Sequence, residues 1–297
     1  MEIQYHKISE KRSKPFTQRE WEMILKHNDY NNVSKKRLKD SLICGVPSDL
    51  RGEIWTFLTR ANQLSVQFSN GVYKKLHERI ADDISNQIDR DLHRTFPEHR
   101  IFQERDGIGQ MILKNILCAY ANYDPEVGYC QGMGFIVGCL ILQIRNEELS
   151  FWAFVQIMHD FNWRLIFKNG TPRLITMMKI MKKEVKKRFP DLHQHFEEQD
   201  LQLLACFSQY FITVFLYDTP TNIGIRIFDV FLLEGERVLF DLLYRMLAFK
   251  KVEILELKSQ DLYMYLRKKL VKECFEEFSL GTLFSTRRQE EREMNEI

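Results

Sequence analysis

Three short stretches of the chain set polar side chains where a helix would ordinarily continue its apolar stripe. The first is Ile88-Asp89-Arg90-Asp91-Leu92-His93-Arg94, followed by Thr95-Phe96-Pro97. At helical spacing Ile80, Ile84, Ile88 and Leu92 share a face, with Asp91 about 60° to the side of Ile88 and Arg94 about 120° away. Ile88 then anchors, Asp91 flanks and Arg94 reaches outward. Pro97 disfavours helical backbone at Phe96, which puts Arg94 in the last turn, where a guanidinium projects beyond the element as a permanent, planar cation. The ordinary alternative is a solvated arginine with an i, i+3 aspartate partner.

The second stretch is Val127-Gly128-Tyr129-Cys130-Gln131-Gly132-Met133, at the doorway of the most apolar run in the chain. Gln131 is the last polar side chain before that run, so its amide sits on a rigid element near a helix N-terminus. The place suits a residue that must be held still; it equally suits one that caps free backbone N–H groups. The third stretch is Gly45-Val46-Pro47-Ser48-Asp49-Leu50-Arg51-Gly52-Glu53-Ile54-Trp55. Pro47 fits the first turn of a helix, and Arg51 and Trp55, four apart, share a face within reach of a cation–π contact. This pattern reads as structural.

Other chemistry is missing. Nothing matches G-x-x-x-x-G-K-[ST], G-x-S-x-G or H-E-x-x-H, and Gly132, Gly134 and Gly138 lack the dinucleotide spacing, so their place inside an apolar run points to packing. His193 and His195 read as a surface pair, because no Cys or acidic ligand stands at a metal-site spacing; no metal is assigned. Cys130 has no identifiable base beside it and reads as a structural cysteine.

The elements that must position these residues are helices. Ile108, Met111, Ile112, Ile116, Ala119 and Tyr120 make a 3.6-residue stripe that ends at Asp124-Pro125. The run from Met133 to Ile144 is too long for a typical strand and predicts a central helix, in which Gly134 and Gly138 permit close helix approach. Further stripes cover Phe151–Phe161, Leu174–Phe189, Leu201–Tyr217, Ile223–Leu233, Val238–Ala248 and Leu262–Phe278. No hairpin pattern competes and no fixed-period repeat is present, so the chain is predicted all-α, a multi-helix fold without significant sheet.

Composition agrees. Only 13 Gly and 7 Pro punctuate 297 residues that are 44% hydrophobic, which favours long helices and excludes disorder, collagen-like repeats and small disulfide scaffolds. The 43 basic residues nearly cancel the 41 acidic ones, so no global field draws the protein to nucleic acid or membrane. Six cysteines without a C-x-x-C pair fit a reducing compartment, and no signal-peptide core or membrane-length apolar run is present. The sequence divides into a polar arm (1–40) with an amphipathic stretch at Trp21, Ile24 and Leu25, a domain (41–280), and a charged tail (281–297). On the basic stretch 173–188, Leu174, Met177, Met178, Met181 and Val185 predict a core-facing stripe with solvated lysines. The alternative is an electrostatic contact with an acidic partner or an anionic membrane.

Taken together, G-[IV]-P-x-x-x-R-x-x-x-W (Gly45, Val46, Pro47, Arg51, Trp55), I-x-x-D-x-x-R (Ile88, Asp91, Arg94), Y-x-Q-G (Tyr129, Gln131, Gly132) and R-I-[FW]-D (Arg226, Ile227, Phe228, Asp229) resemble the TBC domain of GTPase-activating proteins for Rab GTPases. Each motif is short, but all four stand in order. The flanking RTFPEH, D-x-EVGYCQG and F-x-VG look most like the branch whose TBC domain is followed by coiled coils. Many members carry Trp-Phe where this chain has Tyr210-Phe211, and Leu-Pro where it has Thr221-Asn222, a difference that bears on Rab choice.

The resemblance implies an all-helical TBC fold and a two-finger mechanism. Arg94 and Gln131 would both enter the active site of a GTP-bound Rab, the arginine neutralising charge on the phosphoryl group and the glutamine orienting the attacking water. Tyr129 would hold the Gln131 segment against the GTPase, and Asp91 and Arg51 would support the fingers. Arg226 and Asp229, i and i+3 on an apolar helix, are expected to form an internal ion pair. GTP and Mg²⁺ would belong to the partner, the chain having no cofactor and no substrate turnover of its own. A cytoplasmic protein recruited to endomembranes follows from this. A helical scaffold that binds a GTPase without catalysis is the alternative, which the presence of both fingers disfavours.

Overall fold

Few glycines and prolines translate into helices close to those the periodicities predict. The computed structural model describes residues 13–28, 32–68, 71–78, 81–217 and 219–284, and every regular element among them is helical. Ile80 and the charged segment from residue 285 onward lie outside the described residues. No helix among the described residues is long and apolar enough to cross a membrane.

The helix Ile108–Tyr123 packs against Val72–Glu78, Asp82–Leu92, Met133–Ile144 and Glu147–Asp160. A second group, farther along the chain, joins Pro172–Arg188, Pro190–Glu198, Leu203–Ile212 and Glu236–Phe249. Thr221–Glu234 connects the groups: it packs on Glu236–Phe249 of the second, and on Lys35–Cys44 and Arg51–Thr59, the latter lying against Met133–Ile144 of the first. Near the N-terminus, Thr17 and Glu20 form a capping box on Gln18–His27 and Trp21 is fully buried. On Pro172–Arg188 the stripe Leu174, Met177, Met178, Met181 and Val185 is buried, and Lys182 is paired with Glu197.

Four local expectations need correction. The Ile108–Tyr123 helix is rotated from its predicted face: Ile108 and Met111 are exposed, while Leu113, Leu117 and Cys118 are buried with Ile116 and Tyr120. The predicted Leu201–Tyr217 helix stops at Ile212, after which Val214 and Phe215 take left-handed backbone (φ 52° and 58°). Leu262–Phe278 is not one α-helix, for a π-helical turn at Tyr265–Lys269 interrupts it. His195 is no surface residue; it is buried, with Nε2 2.8 Å from the Leu257 carbonyl oxygen.

The first and last motifs meet in one buried joint. Asp229 is fully buried and accepts from Trp55 Nε1 at 2.7 Å and from Arg51 Nε at 3.2 Å. Arg226 Nε lies 3.9 Å from Asp229, while its Nη2 donates to the Ile43 carbonyl at 2.7 Å. The ion pair expected between Arg226 and Asp229 is therefore the looser contact, and Arg51 is the nearer cation. Gly45, at φ 113°, leaves the space that the Arg226 guanidinium fills, since a Cβ there would stand 3.1 Å from its Cζ. Arg51 and Trp55 converge on the carboxylate instead of stacking on one another, and Pro47 lies in the turn before the helix Arg51–Thr59, not in its first turn.

The predicted close approach at Gly134 and Gly138 is real but its partner is a turn, not a helix. A Cβ at Gly134 would meet Thr95 Oγ1 at 2.9 Å, and one at Gly138 would meet the Phe96 ring at 2.9 Å. The residues directly after Arg94 thus lie flat on the helix Met133–Ile144. Phe96 pays for this seat with left-handed backbone (φ 47°), a strained conformation for an aromatic residue.

Two predictions follow from these contacts. Gly138→Val adds bulk where the Phe96 ring already sits, and stability should fall by about 1–3 kcal/mol in urea unfolding; unchanged stability would refute the seat. Burial pushes the Asp229 carboxyl up to about 6, against the pull of Arg51, Trp55 and Arg226. An unfolded aspartate titrates at about 3.9, so the native state holds this proton more tightly, and the contribution is largest below pH 4 and lost as pH rises through 6. The stability gap between wild type and Asp229→Asn should therefore narrow by about 2–3 kcal/mol from pH 4 to pH 7. A gap that is flat or widens over that range would contradict the assignment.

Candidate functional site

The helix Asp82–Leu92 carries Ile88 fully buried on its inner face and ends one residue before His93. Arg94 therefore sits in the turn beyond the helix, not in its last turn, with its backbone N–H 3.3 Å from the Asp91 carbonyl oxygen. Thr95 Oγ1 donates to the same carbonyl at 2.9 Å, so the turn is closed from two sides.

Asp91 is the hub. Its Oδ1 accepts from Arg94 Nη2, and its Oδ2 accepts from the Tyr129 hydroxyl at 2.6 Å. Burial, and then the hydrogen bond to Asp91, push the Tyr129 phenol up, which keeps it a donor. Tyr129 thereby ties the Gln131 segment to the Arg94 turn. The Asp91 side chain is 12% exposed and the Arg94 side chain 47%, so the arginine is gripped at one nitrogen and open elsewhere.

Around Tyr129 the loop is pinned residue by residue. Arg164 holds Asp124 through Nε and Nη2, both at 2.9 Å, and bonds Glu126 at 2.8 Å. The Cys130 thiol donates to the Phe167 carbonyl at 3.0 Å; burial pushes that thiol up, so Cys130 is structural. Gly132 has φ 104°, and a Cβ on it would lie 2.6 Å from Ile212. No other residue fits there without both backbone strain and collision.

Gln131 alone points out of this clamp. It is exposed, and among the described residues its side chain has no hydrogen-bond partner. Gly132 is the N-cap of Met133–Ile144, without a side-chain cap, so the capping alternative for Gln131 does not hold.

Arg94, Gln131, Asp91 and Tyr129 line one cleft of about 730 Å³. Its walls also include Thr95, Phe96 and Phe135, which fall in the RTFPEH and F-x-VG strings without a role assigned there, and Gln209, Tyr217, Thr219 and Arg267, which no motif contains. The packing role of Thr95 and Phe96 could have been read from the paired glycines they lie against; Gln209, Tyr217, Thr219 and Arg267 left no such signal. Arg51, expected to support the arginine, contacts neither Arg94 nor Gln131 and belongs to the Asp229 joint, together with Trp55 and Arg226. No group of three or more His, Cys, Asp and Glu residues is placed to hold a metal ion among the described residues.

Comparison with known proteins places this geometry in a family. The Rab-GTPase-TBC domain model matches residues 48–279. The human ecotropic viral integration site 5 protein homolog is 33% identical over 81% of this chain and 30% of its own length. The Caenorhabditis elegans Rab GTPase-activating protein eat-17 is 33% identical over 86% of this chain and 28% of its own. The chain thus spans about a third of the length of these relatives. Among solved structures, the flagellar RabGAP TBC domain of Chlamydomonas superposes with a TM-score of 0.76 at 23% identity, over 90% of this chain and 89% of that one. An all-α fold, four ordered motifs and a family match across 48–279 lead to one conclusion: this chain belongs to the Rab-GTPase-TBC domain family.

Proposed function

We propose that the chain accelerates GTP hydrolysis on a GTP-bound Rab-family GTPase, with Arg94 and Gln131 inserted in trans. The observation that carries this reading is that two exposed tips, one cationic and one amide, share a cleft and are tethered through a single buried carboxylate. Nucleotide and Mg²⁺ come with the GTPase. Water attacks the γ-phosphorus, the bond to the β–γ bridging oxygen breaks, and the water's proton leaves as inorganic phosphate forms. Negative charge grows on the bridging and phosphoryl oxygens, where a guanidinium stabilises it and a lysine ammonium lacks the matching fork. The Gln131 amide supplies an acceptor and a donor together, the pair needed to orient a water molecule. Membrane recruitment in the cytoplasm is part of the same reading, and the exposed lysines of Pro172–Arg188 supply a basic face for it.

The test is single-turnover hydrolysis by a panel of Mg²⁺·GTP-loaded Rabs. At least one should be accelerated by wild type, and Arg94→Lys should lower that rate about 10³-fold or more, Gln131→Ala about 10²-fold. Tyr129→Phe keeps the ring and removes only the donor to Asp91, and should cost about tenfold in rate. No acceleration of any Rab, or full activity in both finger variants, would sink the reading.

A further inference from the structure

The cleft holds a second arginine that the two-finger reading leaves unused. Arg267 stands in the π-helical turn Tyr265–Lys269, an irregularity frequent at functional sites. The turn is braced from below: the Tyr210 hydroxyl lies 2.8 Å from the Leu266 carbonyl oxygen and 2.7 Å from that of Arg267. Tyr210 is itself stacked on Phe215, with ring centroids 4.9 Å apart. The guanidinium is fixed through one nitrogen only, Nη1 donating to the Ala205 carbonyl at 3.1 Å and to the Tyr263 hydroxyl at 2.9 Å. Among the described residues Nε and Nη2 make no hydrogen bond, the Cζ lies 5.9 Å from the Tyr263 ring centroid, and no carboxylate lies within ion-pair distance.

Its contrast with Arg94 decides its role. The charge of Arg94 is already balanced by Asp91, whereas Arg267 is a positioned cation with no counter-charge among the described residues. Another cleft-lining group is also unsatisfied: Thr219 is 8% exposed and its buried Oγ1 has no hydrogen-bond partner among the described residues. A half-buried cation held still and left unneutralised gains most from an anion brought by the partner.

We propose that Arg267 is a specificity-determining residue that receives a carboxylate side chain from the GTPase surface beside its nucleotide site. The proposal rests on the hydrolysis reading above. It assigns Arg267 to docking, and assigns the nucleotide phosphates to Arg94. An interaction made equally before and during the chemical step changes KM and leaves kcat alone.

The experiment titrates an accelerated GTPase against wild type, Arg267→Met and Arg267→Lys, and also measures Kd for that GTPase loaded with a non-hydrolysable GTP analogue. Arg267→Met keeps an apolar stem, and its thermal unfolding is recorded alongside. Expected are an about tenfold rise in KM and in Kd for Arg267→Met, kcat within about twofold of wild type, and partial recovery in Arg267→Lys. Raising the salt should shrink the difference between wild type and Arg267→Met. A fall in kcat at constant KM would overturn the proposal and send the residue to the phosphates. Unchanged KM and Kd in a folded variant would reduce it to a helix brace and overturn the proposal as well. If wild type accelerates and binds no GTPase, the hydrolysis reading itself has failed; if wild type is active and Arg267→Met matches it, only the docking role has.

Discussion

A carboxylate has two oxygens, and Asp91 spends one on each of two chain segments. Oδ1 takes Arg94 and Oδ2 takes Tyr129, which stands 38 residues away in sequence. That single buried group fixes the distance between the Arg94 turn and the Gln131 loop. Burying it without partners would be costly, and with both partners its charge is neutralised and its lone pairs are used. The surrounding structure serves this contact. Ile88 locks the rotation of the helix that presents Asp91, Gly134 and Gly138 let Thr95 and Phe96 lie down behind Arg94, and Cys130 and Gly132 fasten the loop on either side of Gln131. A polar network of this kind stands or falls as a unit, because a half-satisfied buried carboxylate is worse than none.

The motifs therefore divide between two jobs. Gly45, Arg51, Trp55, Arg226 and Asp229 build a joint between the early helices and Thr221–Glu234. Asp91, Arg94, Tyr129, Gln131 and Gly132 build the cleft. The residue types alone do not separate the jobs, since each contains an arginine, an aspartate and an aromatic donor. Burial does: Asp229 and Trp55 are fully enclosed and Arg51 nearly so, while Arg94 keeps about half of its side chain in the open.

Where a helix has one buried face, the sequence showed which face that is. Leu174, Met177, Met178, Met181 and Val185 are buried as their spacing predicts, because this helix has charged residues on its other side to break the tie. Ile108–Tyr123 has no such contrast. It touches five other helices, so apolar residues occur nearly all round and periodicity chose a face containing Ile108 and Met111, which are exposed. The same limit explains the site. That Arg94 and Gln131 share a cleft follows from the motif resemblance, but Arg51 stands in the Asp229 joint and Arg267 carries no motif signal. Both concern contacts set by tertiary packing: Arg51 meets a residue 178 positions away, and Arg267 opens a basic run with Lys268 and Lys269, which look the same in sequence.

The proposed reaction raises a physical question, since a guanidinium bound to Asp91 ought to be slow to leave it for a phosphate. The geometry removes the conflict. Asp91 holds Nη2, and the guanidinium still offers Nε and Nη1, on a side chain that is 47% exposed. The fork can keep its anchor and engage a second anion at the same time, with little rotamer freedom left to lose on engagement. An ammonium has no fixed fork and would divide its three mobile donors between Asp91 and the phosphate. In the proposed reaction the aspartate therefore acts before any partner arrives, holding the cation in place so that binding energy is not consumed in ordering it.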